Sequence, residues 1–464
     1  MKKIKIPFVL QKMNTVFEEN GFEAYLVGGA VRDMLMKKEP SDFDVATNAE
    51  PEQVVKIFKK VIPTGIAHGT VTVHFLKNEI EVTTFRTESD YSDGRHPDKV
   101  CFTRNINEDL SRRDFTMNAI AASLKDGSII DPFNGQSDIK KKIVKTVGNP
   151  YERFMEDGLR PIRAIRFSSK MKFKIEEETL NAISNKKILE KVKTISLERF
   201  RDELLKLLAS EKPSYGFKIM EKTGILNIFM PELVKCRGCS QTDFRGFHEF
   251  DVLDHLFYAC DGAPQNKINV RLAALLHDIG KPDAKKVIQN SAGEVVTFYN
   301  HEKLSAEIAR KMLFRLKFSN AEIENICHLI ENHMFNYTSD WKDSAVRRFL
   351  VKVKPENVED LFDLRLADIY GMHNKPVRVH DTETGKILIE FKERIYKEEE
   401  KKNALNLKNL EINGNDLIRL GIPSGKEIGS ILNEIFEAVL EDPSQNKKEI
   451  LLNMAKKIYE NRNL

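Results

Sequence analysis

The stretch Tyr25-Leu-Val-Gly28-Gly29-Ala-Val-Arg32-Asp33, with Ser41-Asp42-Phe43-Asp44-Val45 after it, decides the reading of the first part of the chain. A strand puts residues i and i+2 on one face. Phe43 and Val45 can then face a core while Asp42 and Asp44 stand side by side on the open face. Two carboxylates at that spacing repel each other unless cations neutralise them, and hard oxygen ligands suit magnesium. The glycine pair ends an apolar run, where it can free backbone N–H groups to hold phosphate oxygens. Together these parts point to metal-assisted chemistry on a nucleoside triphosphate.

Outward from that stretch, Val71-Thr-Val-His-Phe75 and Ile80-Glu-Val-Thr-Thr-Phe85 read as two strands joined by a tight turn at Lys77-Asn78. Glu79 and Glu81 share one strand face, with Ile80 and Val82 on the other. Glu81 is the better candidate for a third carboxylate beside Asp42 and Asp44; the alternative is that both glutamates are merely solvent-facing. After about residue 140 the strand signal fades and helical spacing of Leu, Ile and Lys takes over.

The 464 residues allow about three domains. With 41% hydrophobic residues the chain can bury real cores, and a net charge of only +4 excludes a strongly basic nucleic-acid coat. Local basic runs at Lys140–Lys142, Lys447-Lys448 and Lys456-Lys457 could still touch a phosphate backbone. The apolar runs are far short of a membrane span, and the first ten residues lack the apolar length of a secretion signal. Five cysteines, an odd count, fit a reducing cytoplasm. Cys236-Arg-Gly-Cys239 has no second pair at zinc-ribbon spacing and reads as two cysteines in a loop.

Ser111-Arg112-Arg113-Asp114-Phe115-Thr116-Met117-Asn118-Ala119 reads as a helix start carrying arginines suited to a triphosphate. Glu156-Asp157-Gly-Leu-Arg160-Pro-Ile-Arg163-Ala-Ile-Arg166 sets three arginines in one helical stripe, with Ile162 and Ile165 on the packed side. The stripe has few acidic partners after Asp157 along the sequence, which weakens a reading as plain surface salt bridges.

These blocks, taken together and in this order, resemble the class II tRNA nucleotidyltransferases, a family holding CCA-adding enzymes and bacterial poly(A) polymerases. The resemblance covers nearly the whole chain. It implies an α+β nucleotidyltransferase palm head with a small mixed sheet, followed by mostly helical neck, body and tail. The corresponding limits are 1–140 for the head, 141–210 for the neck with its base-recognition helix, 211–400 for the body, and 401–464 for a tail that binds tRNA. It implies that Asp42 and Asp44 hold two magnesium ions, that Gly29, Arg32 and Arg113 contact the nucleotide, and that Asp157 and Arg160, with Arg163 and Arg166 nearby, read the base edge of CTP or ATP. The polar segment Phe85–Pro97 resembles the flexible loop that CC-only relatives lack. Gly65-Ile-Ala-His68-Gly69 and the tail run Ile412–Gly429 look like CCA-adding members. An A-adding enzyme or a poly(A) polymerase is the alternative on the same scaffold.

A second candidate site begins at Leu272-Ala-Ala-Leu-Leu-His277-Asp278-Ile-Gly280-Lys-Pro282, a helix ended by Gly280 and Pro282. His255 precedes it and Asp368 follows. This order resembles the HD phosphohydrolase superfamily, over about 246–372, with His301 and His333 at the positions of extra ligands in two-metal members. Imidazole mixed with carboxylate favours manganese, iron, cobalt or nickel over magnesium. The implied activity is hydrolysis of phosphomonoesters or cyclic phosphodiesters, against the alternative of an HD fold kept only as scaffold.

Overall fold

A computed structural model of the chain describes residues 3–89, 99–241, 249–290, 293–376, 380–401 and 405–462. Most of the predicted flexible loop, residues 90–98, lies outside them. Contacts divide the chain into two compact units, Met1–Val234 with Arg315–Phe318, and Lys235–Phe314 with Ser319–Leu464.

The first unit is built on a seven-stranded mixed sheet. Its strands are β1 (Ala24–Val27), β2 (Asp44–Thr47), β3 (Val61–Gly65), β4 (Thr70–Phe75), β5 (Asn78–Thr84), β8 (Ala121–Ser123) and β9 (Ile129–Ile130). They lie in the order β3-β4-β5-β2-β1-β8-β9. A separate ribbon pairs β6 (Arg86–Ser89) with β7 (Lys99–Phe102). The decisive pairing is β2 with β5, which run parallel with Asp44 in register with Glu81. Strand alternation then sorts β5 cleanly: Ile80, Val82 and Thr84 are buried, whereas Glu81 and Thr83 lie on the other face. The β4–β5 turn is one residue earlier than the sequence suggested. Phe75 pairs with Asn78, and Leu76 and Lys77 form the loop with positive φ of 45° and 66°. Such a left-handed pair matches the twist of a two-residue hairpin.

The first seven helices of this unit are α1 (Phe8–Glu19), α2 (Gly29–Leu35), α3 (Pro51–Ile57), α4 (Ile106–Ser111), α5 (Gly135–Lys141), α6 (Pro150–Glu156) and α7 (Leu159–Met171). Gly28 precedes α2 with φ 68° and ψ −133°, a backbone state in which a side chain would be strained. The arginine block around Ser111 does not open a helix. Ser111 closes α4, Phe115 bridges to Thr146, and Thr116–Asn118 makes a single 3-10 turn. The cause is Asp109, fully buried in the last turn of α4, which draws Arg112 (2.7 Å) and Arg113 (3.3 Å) back onto the helix end. Strands also continue past residue 140, as a two-residue parallel pair at Ile143–Val144 with Lys174–Ile175 and a hairpin of Lys286–Asn290 with Gly293–Thr297.

Among the described residues the regular structure of the second unit is helical apart from that hairpin. Helices Val252–Gly262 and Val358–His373 cross at unusually close range. A Cβ on Gly371 would stand 2.9 Å from the carbonyl oxygen of His255 and 3.0 Å from the backbone nitrogen of Ala259. That contact brings His255 and Asp368 side by side. Toward the C-terminus, Leu417, Ile431, Ile435, Val439, Leu440 and Leu451 form a core of their own. Arg347 ties it to the preceding helices, donating to the carbonyls of Leu440 (2.7 Å) and Glu441 (3.0 Å) and to Glu398 (2.8 Å).

Because backbone atoms face Gly371, a Gly371→Val change cannot be absorbed by a side-chain rotation. It should cost about 1–3 kcal/mol of stability, read by chemical denaturation. A neutral result would mean the helix crossing is not held at this distance in solution.

Candidate functional site

A cavity of about 800 Å³ opens in the first unit, over the exposed face of the sheet. The sequence-predicted residues Gly29, Arg32, Asp42, Asp44, Glu81, Arg113, Asp157, Arg160, Arg163 and Arg166 all line it. Asp42 lies just before β2, Asp44 is its first residue, and Glu81 is its partner across the β2–β5 pair. The cluster carries its own signature of repulsion. Burial, then the charges of Glu81 and Asp42, push the Asp44 carboxyl up to about 6 against the pull of Arg113. Three carboxylates that repel one another in this way fit a hard divalent ion.

Beside them lies the opposite charge. A Cβ placed on Gly28 would stand 3.1 Å from a guanidinium nitrogen of Arg113 and 3.4 Å from a carboxylate oxygen of Asp44. The glycine thus keeps the space beside Arg113 and Asp44 clear of a side chain. Arg113 buries its Nε without a hydrogen-bond partner among the described residues. Arg32 is held in place by Asp33 and by donation to the Asn118 side-chain oxygen at 2.8 Å. Asn118 in turn donates to Asp114 at 3.0 Å, and Arg163 grips the same carboxylate with two bonds of 2.9 and 2.7 Å. Burial alone would raise Asp114, but the Arg163 charge and these bonds outweigh it and bring Asp114 to about 2.

The arginine stripe of α7 has more acidic partners than its own sequence showed: Glu156 lies within the block, but the partners of Arg163 and Arg166 come from distant segments. Arg160 pairs with Glu156 and donates to the carbonyls of Arg153 (3.0 Å) and Arg112 (3.3 Å). Arg166 is buried against Glu203, its guanidinium 3.9 Å from the centre of the Phe167 ring. Asp157 accepts from the backbone N–H of Leu159 at 2.9 Å and from Arg199 at 2.8 Å. Pattern reading does not reveal Arg199, which lies 42 residues from Asp157 and carries no local cue. Asp114 and Asn118 sit inside the quoted arginine block and were within reach. So was Thr83, two residues along the strand from Glu81.

In the second unit His255, His277, Asp278, His301, His333 and Asp368 come together and are all buried. The Nε2 atoms of His255 and His277 are 3.2 Å apart. Asp368 Oδ1 lies 3.3 and 3.4 Å from them, and Asp278 Oδ2 lies 3.4 and 3.2 Å away. His301 Nε2 is 3.1 Å and His333 Nε2 3.8 Å from Asp278 Oδ1. His277, His301 and His333 each turn Nδ1 to a backbone carbonyl, of Ala274, Phe298 and Ile330 at 2.9, 2.7 and 2.7 Å. A carbonyl accepts only, so Nδ1 carries a proton and Nε2 is the atom turned inward, where a metal would take the place of any proton it holds. Two overlapping triads qualify as metal-holding groups: His255, His277 and Asp368, and His277, Asp278 and His333. Burial disfavours charge on His277, yet Asp278 and Asp368 lift it to about 10, whereas burial and His277 drive His333 down to about 3. Lys281, not singled out in the sequence, reaches Asp278 at 2.6 Å and Gln241 at 2.5 Å. Cys236 is buried and Cys239 half-buried, and burial raises both thiols.

Three known domain families match the chain: the Poly A polymerase head domain over residues 24–145, the probable RNA and SrmB-binding site of polymerase A over 172–236, and the HD domain over 245–372. The CCA-adding enzyme of Enterococcus faecalis is 35% identical over 98% of each chain. The chain belongs to the CCA-adding enzyme family. The enzyme of Lactobacillus johnsonii is 36% identical over 95% of this chain and 94% of its own. Among solved structures, the Bacillus stearothermophilus CCA-adding enzyme in complex with CTP superposes with a TM-score of 0.73 at 27% identity, covering 98% of both chains. A nucleotidyltransferase head and an HD domain both imply dependence on divalent metal.

The raised Asp44 carboxyl yields a stability prediction. In the folded, metal-free protein it titrates near 6, above its ordinary 3.8, so its ionised form is a liability above pH 6 that vanishes below about pH 4. Asp44→Asn should therefore stabilise metal-free protein by about 1–3 kcal/mol at pH 8, and the gain should shrink as pH falls from 6 to 4. Melting curves across that range test it; a gain independent of pH would refute the charge explanation.

Proposed function

We propose that this chain adds C, C and A in turn to tRNA 3′ ends from CTP and ATP, without a nucleic-acid template, and releases pyrophosphate. The observation that carries the reading is the cavity itself: three carboxylates at one end, phosphate-binding arginines beside them, and Asp157 and Arg160 in the same wall. Full-length kinship with CCA-adding enzymes supports it over A-adding enzymes or poly(A) polymerases.

Asp42, Asp44 and Glu81 would hold magnesium, which when bound lowers the pKa of the attacking 3′-hydroxyl and neutralises charge developing at the α-phosphate. Gly28 and Gly29 keep side chains out of the way of the triphosphate. Arg32 and Arg113 take its negative charge, each held by an aspartate from the protein. Asp157 offers an acceptor and Arg160 a fork of donors, a pair suited to the Watson–Crick edges of cytosine and adenine and mismatched with uracil. In this reading residues 1–140 act as head, 141–210 as neck, 211–400 as body and 401–464 as tRNA-binding tail. Among the described residues no helix is long and apolar enough to cross a membrane, and we assign the work to the cytoplasm.

A second reading applies to the HD cluster, because three of its histidines are locked with Nε2 turned inward around two aspartates. The donor set suits manganese, iron, cobalt or nickel, and the corresponding chemistry is hydrolysis of phosphomonoesters or cyclic phosphodiesters.

With magnesium, CTP and ATP, the purified protein should lengthen a tRNA lacking CCA by three nucleotides and stop, as read on a sequencing gel. Long adenosine tails, or one A added only after CC, would replace this reading with its alternative. Asp42→Ala should lower addition by at least about 10³-fold, and Arg160→Ala should erode discrimination against UTP. Asp278→Ala should leave addition within about twofold of wild type while removing manganese- or nickel-dependent hydrolysis of p-nitrophenyl phosphate. Wild-type protein inert with both metals would leave the HD domain a scaffold.

A further inference from the structure

Phosphoryl transfer fixes where the RNA end must lie. The attacking and leaving oxygens stand roughly in line, on opposite sides of the phosphorus. Across the sheet the order is β4-β5-β2-β1. The triphosphate cradle is at the β1 end, where the Gly28 backbone borders both Arg113 and Asp44. Asp44 on β2 and Glu81 on β5 come next. An acceptor hydroxyl must therefore approach the carboxylates from the β4–β5 side.

The same cavity is lined on that side by Thr83, Thr70 and Arg86. Thr83 shares the face of Glu81, and Thr70 is its register partner on β4. Their hydroxyls are 3.0 Å apart. One hydroxyl donates to the other, which leaves one donor and spare lone pairs for a ligand. This matches a ribose 2′-hydroxyl, which both donates and accepts. Next along β4, Thr72 is the register partner of Glu81, and its hydroxyl is 3.0 Å from that of Thr64. Farther along the same face Glu79 stands 3.6 Å from His74, on the side of Glu81 away from Thr83. Arg86 brings positive charge to the same wall, and its backbone N–H is bonded to Asp109, the carboxylate that also holds Arg112 and Arg113.

We propose that Thr83 and Thr70 form the subsite for the terminal ribose of the RNA acceptor, holding its 2′-hydroxyl so that the adjacent 3′-hydroxyl meets the carboxylates, with Arg86 facing the phosphate on the 5′ side of that ribose. The proposal rests on the reading of Asp42, Asp44 and Glu81 as the polymerising carboxylates.

The test compares tRNA acceptors ending in CC whose last nucleotide is ribo or 2′-deoxy, with ATP and magnesium. In wild-type protein the 2′-deoxy end should lower kcat/KM for the acceptor about tenfold, the effect of one good hydrogen bond. A Thr70→Val/Thr83→Val protein should lose about the same on the ribo end and nothing more on the deoxy end. The KM for ATP should stay within about twofold. Thr83→Ser, which keeps the hydroxyl, should retain wild-type behaviour, and it carries the comparison if the valine protein fails to fold. Losses that add independently, a rise in the ATP KM matching the acceptor effect, an unchanged valine protein, or a serine protein as impaired as valine would each overturn the subsite. If wild-type protein extends no tRNA at all, the function itself fails rather than the subsite alone.

Discussion

Parallel pairing of β2 with β5 holds Asp44 against Glu81, with Asp42 two residues away. Nothing local favours that meeting. Burial and like charge push the Asp44 carboxyl toward protonation. The hydrophobic side of the sheet opposes this cost. Val45, Ile80, Val82 and Val73 are almost completely buried on the reverse face, and register is strongly specified wherever one face is apolar. A slip of one residue would turn the valines outward and the carboxylates inward. The stable packing of the sheet therefore sustains a charge cluster that is unstable without its cations.

Around that cluster the arginines are arranged by a second rule, that a buried guanidinium needs a fixed partner. Asp109 holds Arg112 and Arg113, Asp114 holds Arg163, Asp33 holds Arg32, Glu156 holds Arg160 and Glu203 holds Arg166. The partners limit rotamer freedom before any nucleotide arrives, so less entropy is lost on binding. The HD cluster solves a different problem. Its ligands are closely packed and buried, and backbone carbonyls set the histidine tautomers directly. Hard carboxylates on an open sheet face suit an ion that enters and leaves with a triphosphate, whereas buried imidazoles suit one that stays.

How much was legible follows from how far each interaction reaches along the chain. Asp44 and Glu81 are local patterns of period two and stand on the open face of the sheet, whereas Asp42 and the half-buried Phe43 lie just before β2, outside the strand that the spacing suggested. The HD residues were readable because their order is distinctive, though Lys281 passed unnoticed within the same stretch. The arginine block reads as a helix start from Ser111 forward, but Asp109, just behind it, holds both arginines at the end of α4. The stripe on α7 looked unpartnered for a similar reason: Asp114 and Glu203 are 49 and 37 residues away from the arginines they hold. Charge pairing across such distances has no periodic signature. The short strands Ile143–Val144 and Lys174–Ile175 escaped because two residues carry no alternation to detect.

The pairing of Arg160 with Glu156, and of Asp157 with Arg199, also bears on how a protein surface can replace a template. Both members of the proposed base-reading pair already have protein partners. A base must therefore offer bonds at least as good as those it shares or displaces. Cytosine and adenine present a donor amino group next to a ring acceptor, matching one carboxylate and one guanidinium. Uracil presents a carbonyl where the amino group would be, directed at Asp157, and leaves that carboxylate facing an acceptor. In a partly buried cavity an unpaired polar group costs about 1–3 kcal/mol, so the wrong base is penalised twice, by the bond it fails to make and by the Glu156 contact it disturbs without replacing. In the proposed base-reading role of this pair, selection resides less in the attraction of the right base than in the quality of the resting pairs that the wrong base would have to break.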